Sequence, residues 1–379
     1  MSTPLPRTIL CVVGARPNFM KMAPILAAFR HGSTPINAHL LHTGQHYDHT
    51  MQQQFFDALG IPRPDTDLGV GSASHAQQTA EIMRRFEPVL RKVHPAAVLV
   101  VGDVNSTIAC ALVAAKEGVP VIHVEAGLRS YDRSMPEEIN RVLTDQLSEL
   151  LFTTELSAEE RLTREGIDPR RVHFVGNVMI DTLRDNLSRA IPAERQLAAF
   201  DTDIQARAAA DGFGIVTLHR PSNVDDPNIL EQLLRCLTET TEQLPLIFPL
   251  HPRTRDRIEA FGLRGLIEGS GLLLTEPLGY LEMLGLLREA RLVLTDSGGL
   301  QEESTALGIP CLTLRENTER PITVEEGTNT VVGRDVTAIA RGVKEILGDR
   351  GKAGKIPEGW DGEAARRIAE TIGQWLADR

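Results

Sequence analysis

The chain is poor in aromatic residues, in cysteine and in positive charge, and each shortage removes a class of function. Aromatics make up 4% of 379 residues, with two tryptophans, too few for the stacking platforms that bind single-stranded nucleic acid. Forty basic residues stand against 51 acidic ones, a net charge of −11, which repels nucleic acid and anionic membrane surfaces. The four cysteines (Cys11, Cys110, Cys236, Cys311) lie singly inside apolar segments, the pattern of buried reduced thiols rather than of disulfides or a zinc site. No run approaches the roughly 18 apolar residues of a membrane span, and the first residues, Met-Ser-Thr-Pro-Leu-Pro-Arg, lack a signal-type apolar stretch. A cytoplasmic location is expected. There is no G-x-G-x-x-G dinucleotide fingerprint, no usable internal repeat and no low-complexity tract.

What is present is an ordinary globular composition, 42% hydrophobic and 24% charged, on a chain long enough for two domains. Short apolar runs alternate with helix-length amphipathic stretches throughout. Strands are expected at 8–13, 36–42, 97–101, 119–124, 150–153 and 172–175, then at 213–218, 244–249, 272–275, 292–295, 310–314 and 330–332. Helices fall between them, for example at 76–93, 106–117, 136–147, 228–240 and 300–307. Continuous Val/Ile/Leu runs separated by helices mean parallel sheets covered on both faces. The expected fold class is α/β, with two doubly wound domains facing a cleft. Residues 1–175 form the first, 176–362 the second, and a last helix within 363–379 joins the first. The stretch 190–211 reads as a helical connection or loop.

Charge collects where strands end, the ligand-binding edge of open parallel sheets. His123-Val-Glu-Ala-Gly-Leu-Arg-Ser-Tyr-Asp-Arg-Ser-Met-Pro-Glu-Glu-Ile-Asn-Arg141 carries seven charged residues through one strand-to-helix transition, which fits a polar substrate. Gly14-Ala-Arg16-Pro-Asn-Phe-Met-Lys21 opens a helix where backbone N–H groups attract anions; a capped surface helix would use the same residues. Asp103 follows Gly102 at another strand end, as a site carboxylate or a helix cap. Later strand ends present His219-Arg220, His251-Pro-Arg and Thr295-Asp-Ser297-Gly298-Gly299-Leu-Gln-Glu-Glu303, the last a cradle for phosphate oxygens. Glu319-Arg320-Pro321 adds a charged elbow. The histidines at 39, 42, 46 and 49 lack the spacing of a zinc site. Two Asp-Thr-Asp tripeptides, at 65–67 and 201–203, sit in loop-like context and are set aside.

Together these motifs, in this order and over nearly the whole chain, resemble the non-hydrolysing UDP-N-acetylglucosamine 2-epimerase family. The resemblance implies a GT-B-like fold of two Rossmann-like domains, a homodimer, a UDP-sugar as ligand and no cofactor or metal. It implies reversible C2 epimerisation of UDP-GlcNAc to UDP-ManNAc, by elimination and re-addition of UDP through 2-acetamidoglucal. Carried over to this sequence, Asp103, Glu125, Glu137 and His219 are the catalytic candidates. Arg16, Lys21, His46, Arg141, Ser297, Gly298, Gly299, Glu303 and Arg320 are the substrate and UDP-binding candidates, with Glu303 on the ribose. The chain departs from common family patterns at Asn18, Tyr47 and Pro221-Ser222, which leaves a UDP-diacetamido uronic acid as the second substrate. His46, Tyr47 and Asp48 are where that selectivity is expected. A hydrolysing epimerase and a glycosyltransferase share the expected fold. A nucleotide-sugar sensor would need no acid or base at C2, so it would not need Asp103, Glu125, Glu137 and His219 together.

Overall fold

The computed structural model describes residues 8–32, 36–44 and 59–379, with Arg16 described by its backbone alone. The chain divides into two compact units. The first runs to Asp185 and takes back Glu358–Arg379; the second is Asn186–Pro357.

The first unit is a parallel sheet of β1 (Thr8–Val13), β2 (Asn37–His42), β3 (Thr66–Asp67), β4 (Ala97–Val101), β5 (Val121–Ala126), β6 (Leu150–Thr153) and β7 (Val172–Phe174). Its strand order is β3-β2-β1-β4-β5-β6-β7, so the winding reverses between β1 and β4. The longer helices are α1 (Arg16–His31), α2 (His75–Val93), α3 (Asn105–Lys116), α4 (Pro136–Leu147), α5 (Leu156–Arg164) and α6 (Val178–Asn186). In α2 the buried residues Gln78, Ile82, Phe86 and Leu90 recur every fourth position, one stripe of an amphipathic helix. That stripe packs on Leu10, Val12, Val98 and Val100 of the sheet.

The second unit repeats the plan. β8 (Gly214–Thr217), β9 (Leu246–Pro249), β10 (Leu272–Thr275), β11 (Leu292–Thr295), β12 (Cys311–Thr313) and β13 (Asn329–Val331) are parallel, in the order β10-β9-β8-β11-β12-β13. Adjacent strand residues serve opposite faces. Val216, Phe248 and Leu294 enter one core cluster, while Ile215, Ile247 and Val293 enter another. The sheet is therefore buried on both sides, as its continuous apolar strands require. Its longer helices are α7 (Thr202–Asp211), α8 (Pro227–Thr240), α9 (Pro252–Ala260), α10 (Tyr280–Glu289), α11 (Gly298–Leu307) and α12 (Val336–Leu347).

The last helix, α13 (Ala364–Ala377), packs against α1 in the first unit. Asp181 fixes its start: Ala364 N and Ala365 N donate to the two Asp181 carboxylate oxygens, at 3.2 and 2.6 Å. Just before it, Trp360 is 1% exposed and its Nε1 donates to Thr154 O at 3.2 Å. A Cβ on Gly176 would stand 1.9 Å from Gly359 O, so the two backbones meet where only glycine fits.

Several boundaries move from their sequence positions. The strand expected at 119–124 runs instead over Val121–Ala126. The tripeptide at 65–67 is not loop-like: Thr66–Asp67 is an edge strand paired with β2. Asp65 accepts from Leu40 N at 2.8 Å, and Asp67 pairs with His42 at 3.0 Å. All four cysteines are free and buried, and burial pushes the thiols up, to about 11 in Cys236 and about 12 in Cys311. Among the described residues no helix is long and apolar enough to cross a membrane.

Candidate active site

In the first unit the expected residues gather at the reversal between β1 and β4, with β5 beside them. Pro17 sits in the first turn of α1, where its missing N–H costs nothing. Asn18 Oδ1 accepts from Gly14 N and Ala15 N, at 3.2 and 2.9 Å, while its Nδ2 donates to Val101 O at 3.0 Å. The anion-attracting start of α1 is thereby tied to the end of β4.

One turn into α1, Lys21 makes an ion pair with Glu125, and both side chains are almost fully buried. Such a pair survives burial only with close geometry. Glu125 has φ +73, a left-handed conformation uncommon for a non-glycine residue. It is the extra residue of a β-bulge, because the β5–β6 register shifts between Val124 and Ala126. Bulges re-aim side chains beside active sites, and the strain, of order 1–3 kcal/mol, must be held by surrounding contacts.

Asp103 follows Gly102, which is also left-handed at φ +67. A Cβ on Gly102 would come within 3.1 Å of Lys21 Nζ. The Asp103 carboxylate pairs with Arg141, whose other nitrogen reaches Glu138 at 2.5 Å. Arg141 is 2% exposed. Glu138 is buried as well, accepting from Ser130 N and Tyr131 N at 2.9 and 3.0 Å, so it organises the turn before α4. Glu137, next to it in the first turn of α4, is only partly buried. Lys21, Asp103, Glu125 and Arg141 are thus assembled, with Glu137 at the adjoining helix start. The side chain of Arg16, and all of His46, lie outside the described residues.

The second unit places its candidates at the equivalent reversal, between β8 and β11. Asp296, fully buried, is the organising group and had no role in the sequence reading. It pairs with His219 Nδ1 at 2.8 Å. It also accepts from His219 N and Arg220 N, both at 2.9 Å, and from Asn223 Nδ2 at 3.1 Å. Burial pushes the Asp296 carboxyl up, but the His219 hydrogen bond, its charge and the two backbone donors outweigh this and hold it below the ordinary value. A carboxylate only accepts, so Nδ1 carries a proton and Nε2 is the nitrogen presented outward on a ring 34% exposed.

Beside it, Ser297 precedes α11 and makes no side-chain cap, which leaves first-turn N–H groups for another acceptor. Three arginines surround this end. Arg315 pairs with Glu319 at 2.8 Å, Arg220 with Glu319 at 3.5 Å, and Arg320 with Glu302 at 2.9 Å. A Cβ on Gly298 would lie 3.2 Å from Glu319 Oε1. Burial pushes the Glu319 carboxyl up, but the charges of Arg315, Arg320 and Arg220 together hold it at about 2. Among these five groups positive charge is in excess, which suits an anion. Glu303, buried in α11, lies by Tyr280, whose phenol is pushed up first by burial and then by the Glu303 charge.

Sequence reasoning thus missed Asp296 and Arg315. Asp296 was visible only as a member of the Thr295-Asp-Ser-Gly-Gly turn. The histidines read against a metal site have other partners: His39 Nε2 meets Thr66 Oγ1 at 2.9 Å and His42 pairs with Asp67.

Comparison with known proteins identifies the family. Residues 30–373 match the family model described as UDP-N-acetylglucosamine 2-epimerase. The chain is 41% identical over 364 residues to a UDP-N-acetylglucosamine 2-epimerase of Methanocaldococcus jannaschii, covering 95% of this chain and 97% of that protein. It is 40% identical over 368 residues to a UDP-2,3-diacetamido-2,3-dideoxy-D-glucuronate 2-epimerase of Pseudomonas aeruginosa, covering 96% and 99%. A crystal structure of the M. jannaschii UDP-GlcNAc 2-epimerase, in complex with UDP-GlcNAc and UDP, is similar at TM-score 0.85 and 40% identity over 97% of this chain and 99% of that one. With its two Rossmann-like parallel sheets and GT-B-like neighbours, the chain belongs to the UDP-N-acetylglucosamine 2-epimerase family.

Proposed function

We propose that this protein interconverts UDP-GlcNAc and UDP-ManNAc by moving the proton at C2 of the sugar. The observation that carries the reading is the Glu125 bulge, which sets a strained, buried carboxylate against Lys21 beside Asp103. The C2 proton of an acetamido sugar is not next to a carbonyl carbon, so its direct removal is very unfavourable. Breaking the C1–O bond, with its electron pair leaving on the UDP β-phosphate, gives C1 oxocarbenium character and acidifies C2–H. A carboxylate takes that proton, and the C–H electrons become the C1=C2 bond of 2-acetamidoglucal. Delivery of a proton to the other face of C2, with UDP returning to C1, completes the epimerisation.

The first unit supplies Asp103, Glu125 and Glu137 for acid–base work at C2 and charge stabilisation, with Arg141 holding Asp103 and Lys21 and Arg16 meeting the departing diphosphate. The second supplies the UDP side. His219 and the Ser297-Gly298-Gly299 helix start stabilise developing phosphate charge, Arg320 adds to the positive field and Glu303 takes the ribose hydroxyls. Positive side chains at fixed positions supply the charge stabilisation that the leaving group needs.

The Pseudomonas relative, as similar as the archaeal one, favours UDP-2,3-diacetamido-2,3-dideoxy-D-glucuronate as a second reading of the sugar. We also infer a homodimer, supported by the exposed apolar residues Tyr131, Ile139 and Leu143 of the first unit, which association would cover. A cytoplasmic setting agrees with four free thiols. Incubation with each UDP-sugar in heavy water, followed by NMR, tests the reaction. Deuterium enters C2 and the C2 epimer appears for one of them; failure of both sugars to exchange would sink the proposal. Light scattering should give twice 41.6 kDa.

A further inference from the structure

The first unit contains a buried charged chain that the reaction does not use directly. His123, on β5 two residues before Glu125, is 0% exposed. Its Nδ1 meets Asp145 Oδ1 of α4 at 2.7 Å and its Nε2 meets Gly102 O at 2.9 Å. The other Asp145 oxygen accepts from Gly127 N at 3.1 Å and pairs with Arg129 at 2.7 Å. Arg129 in turn pairs with Glu165 at 2.5 Å.

These bonds fall on the two backbones that present the carboxylates. Gly102, the residue before Asp103, is gripped twice by β5: its N–H donates to Val124 O at 3.1 Å and its carbonyl faces His123. The Glu125 bulge is clamped on both flanks, at Val124 O by Gly102 N and at Gly127 N by Asp145. Removing the pair would free the left-handed Gly102 turn and the left-handed Glu125 together. A carbonyl oxygen accepts and does not donate, and an ionised carboxylate does the same. Both ring nitrogens therefore face acceptors, and only a ring with a proton on each can satisfy them. The charges balance: His123 and Arg129 against Asp145 and Glu165, with the Lys21–Glu125 and Arg161–Glu155 pairs nearby. Arg161 also donates to Gly127 O at 3.1 Å.

We propose that His123 and Asp145 are positioning residues for the C2 chemistry, with His123 a doubly protonated ring that fixes the peptide before Asp103 and, through Asp145, the bulge that carries Glu125. The pair touches no substrate; it acts through the two backbones. The inference rests on the reaction proposed above, but one arm of its test does not.

That arm is NMR of the wild-type protein with ring-15N histidine, without substrate. One ring, assigned by its absence in His123→Gln or by Overhauser contacts to Gly102, should show protons on both nitrogens, protected from exchange. A ring with one bare nitrogen would overturn the proposal, whether or not the enzyme turns over. The second arm is kinetic. Asp145→Asn lowers kcat about 100-fold, the cost of a misplacement of roughly an ångström, while KM and UDP affinity move less than about 3-fold because the UDP groups are intact. A merely structural role would lower the folded fraction, counted by UDP titration, and leave kcat per folded molecule unchanged; that result refutes positioning. Asp145→Glu, which keeps the charge, recovers part of kcat. If the wild type epimerises neither UDP-sugar, the reaction proposal fails while the NMR arm still decides the state of His123.

Discussion

Asp296→Asn separates charge from shape at the second unit's reversal point. The carboxylate accepts from His219 Nδ1, His219 N, Arg220 N and Asn223 Nδ2. An amide of the same outline has one acceptor oxygen. The two backbone donors converge on Oδ2, so the amide oxygen settles there and its NH2 faces His219 Nδ1. His219 must then accept at Nδ1, so its proton shifts to Nε2 and the buried carboxylate that orients the ring is gone. Hydrogen bonds to charged groups are worth about 1.5–3 kcal/mol and neutral ones about 0.5–1.5, so downgrading two or three of them costs about 3 kcal/mol. The second unit should therefore unfold at lower urea. On the proposed reaction, loss of the carboxylate that orients His219 toward the leaving diphosphate should lower kcat about 100- to 1000-fold. The assays are C2 exchange kinetics, UDP calorimetry and urea unfolding. Because His219 and Asp296 act as a unit, His219→Asn combined with Asp296→Asn should cost little more than His219→Asn alone. An Asp296→Asn enzyme with wild-type kcat, or additive losses in the double variant, would refute this role.

Two further outcomes follow from packing and charge. Gly176→Ala forces a methyl against Gly359 O at a left-handed position and should cost about 3 kcal/mol or more, read as a lower urea midpoint for the first unit; an unchanged midpoint contradicts the close approach. Glu319 is held at about 2 against an ordinary 4.5, a lowered carboxyl worth about 3 kcal/mol above pH 4.5 and lost as pH falls toward 2. The stability gap between wild type and Glu319→Gln should narrow over that window, and a gap that does not narrow refutes the assignment.

The strands were legible because each is a buried apolar run bounded by turn residues. Those at 8–13, 97–101, 150–153, 272–275 and 292–295 fall where expected. The site was legible as far as strand ends collect charge. What the sequence hid was conformation and partnership. The left-handed residue after β5's apolar run is Glu125, not only Gly127, and no local rule predicts a glutamate there; tertiary contacts impose it. Asp145 sits in the last turn of α4, with nothing nearby in sequence to announce that His123 and Gly127 converge on it. The edge strand Thr66–Asp67 is two residues long, below the length at which alternation can be read.

The return of Glu358–Arg379 to the first unit makes the second an insertion within the first. A nascent chain can finish the second unit's sheet while the first still lacks Trp360 and α13. The Asp181 cap, the Gly176–Gly359 contact and the covering of α1 all wait for residues 359–377 to emerge. Truncation after Pro357 would therefore leave every described strand of both sheets in place but strip the first unit of the segment that covers α1 and meets Gly176.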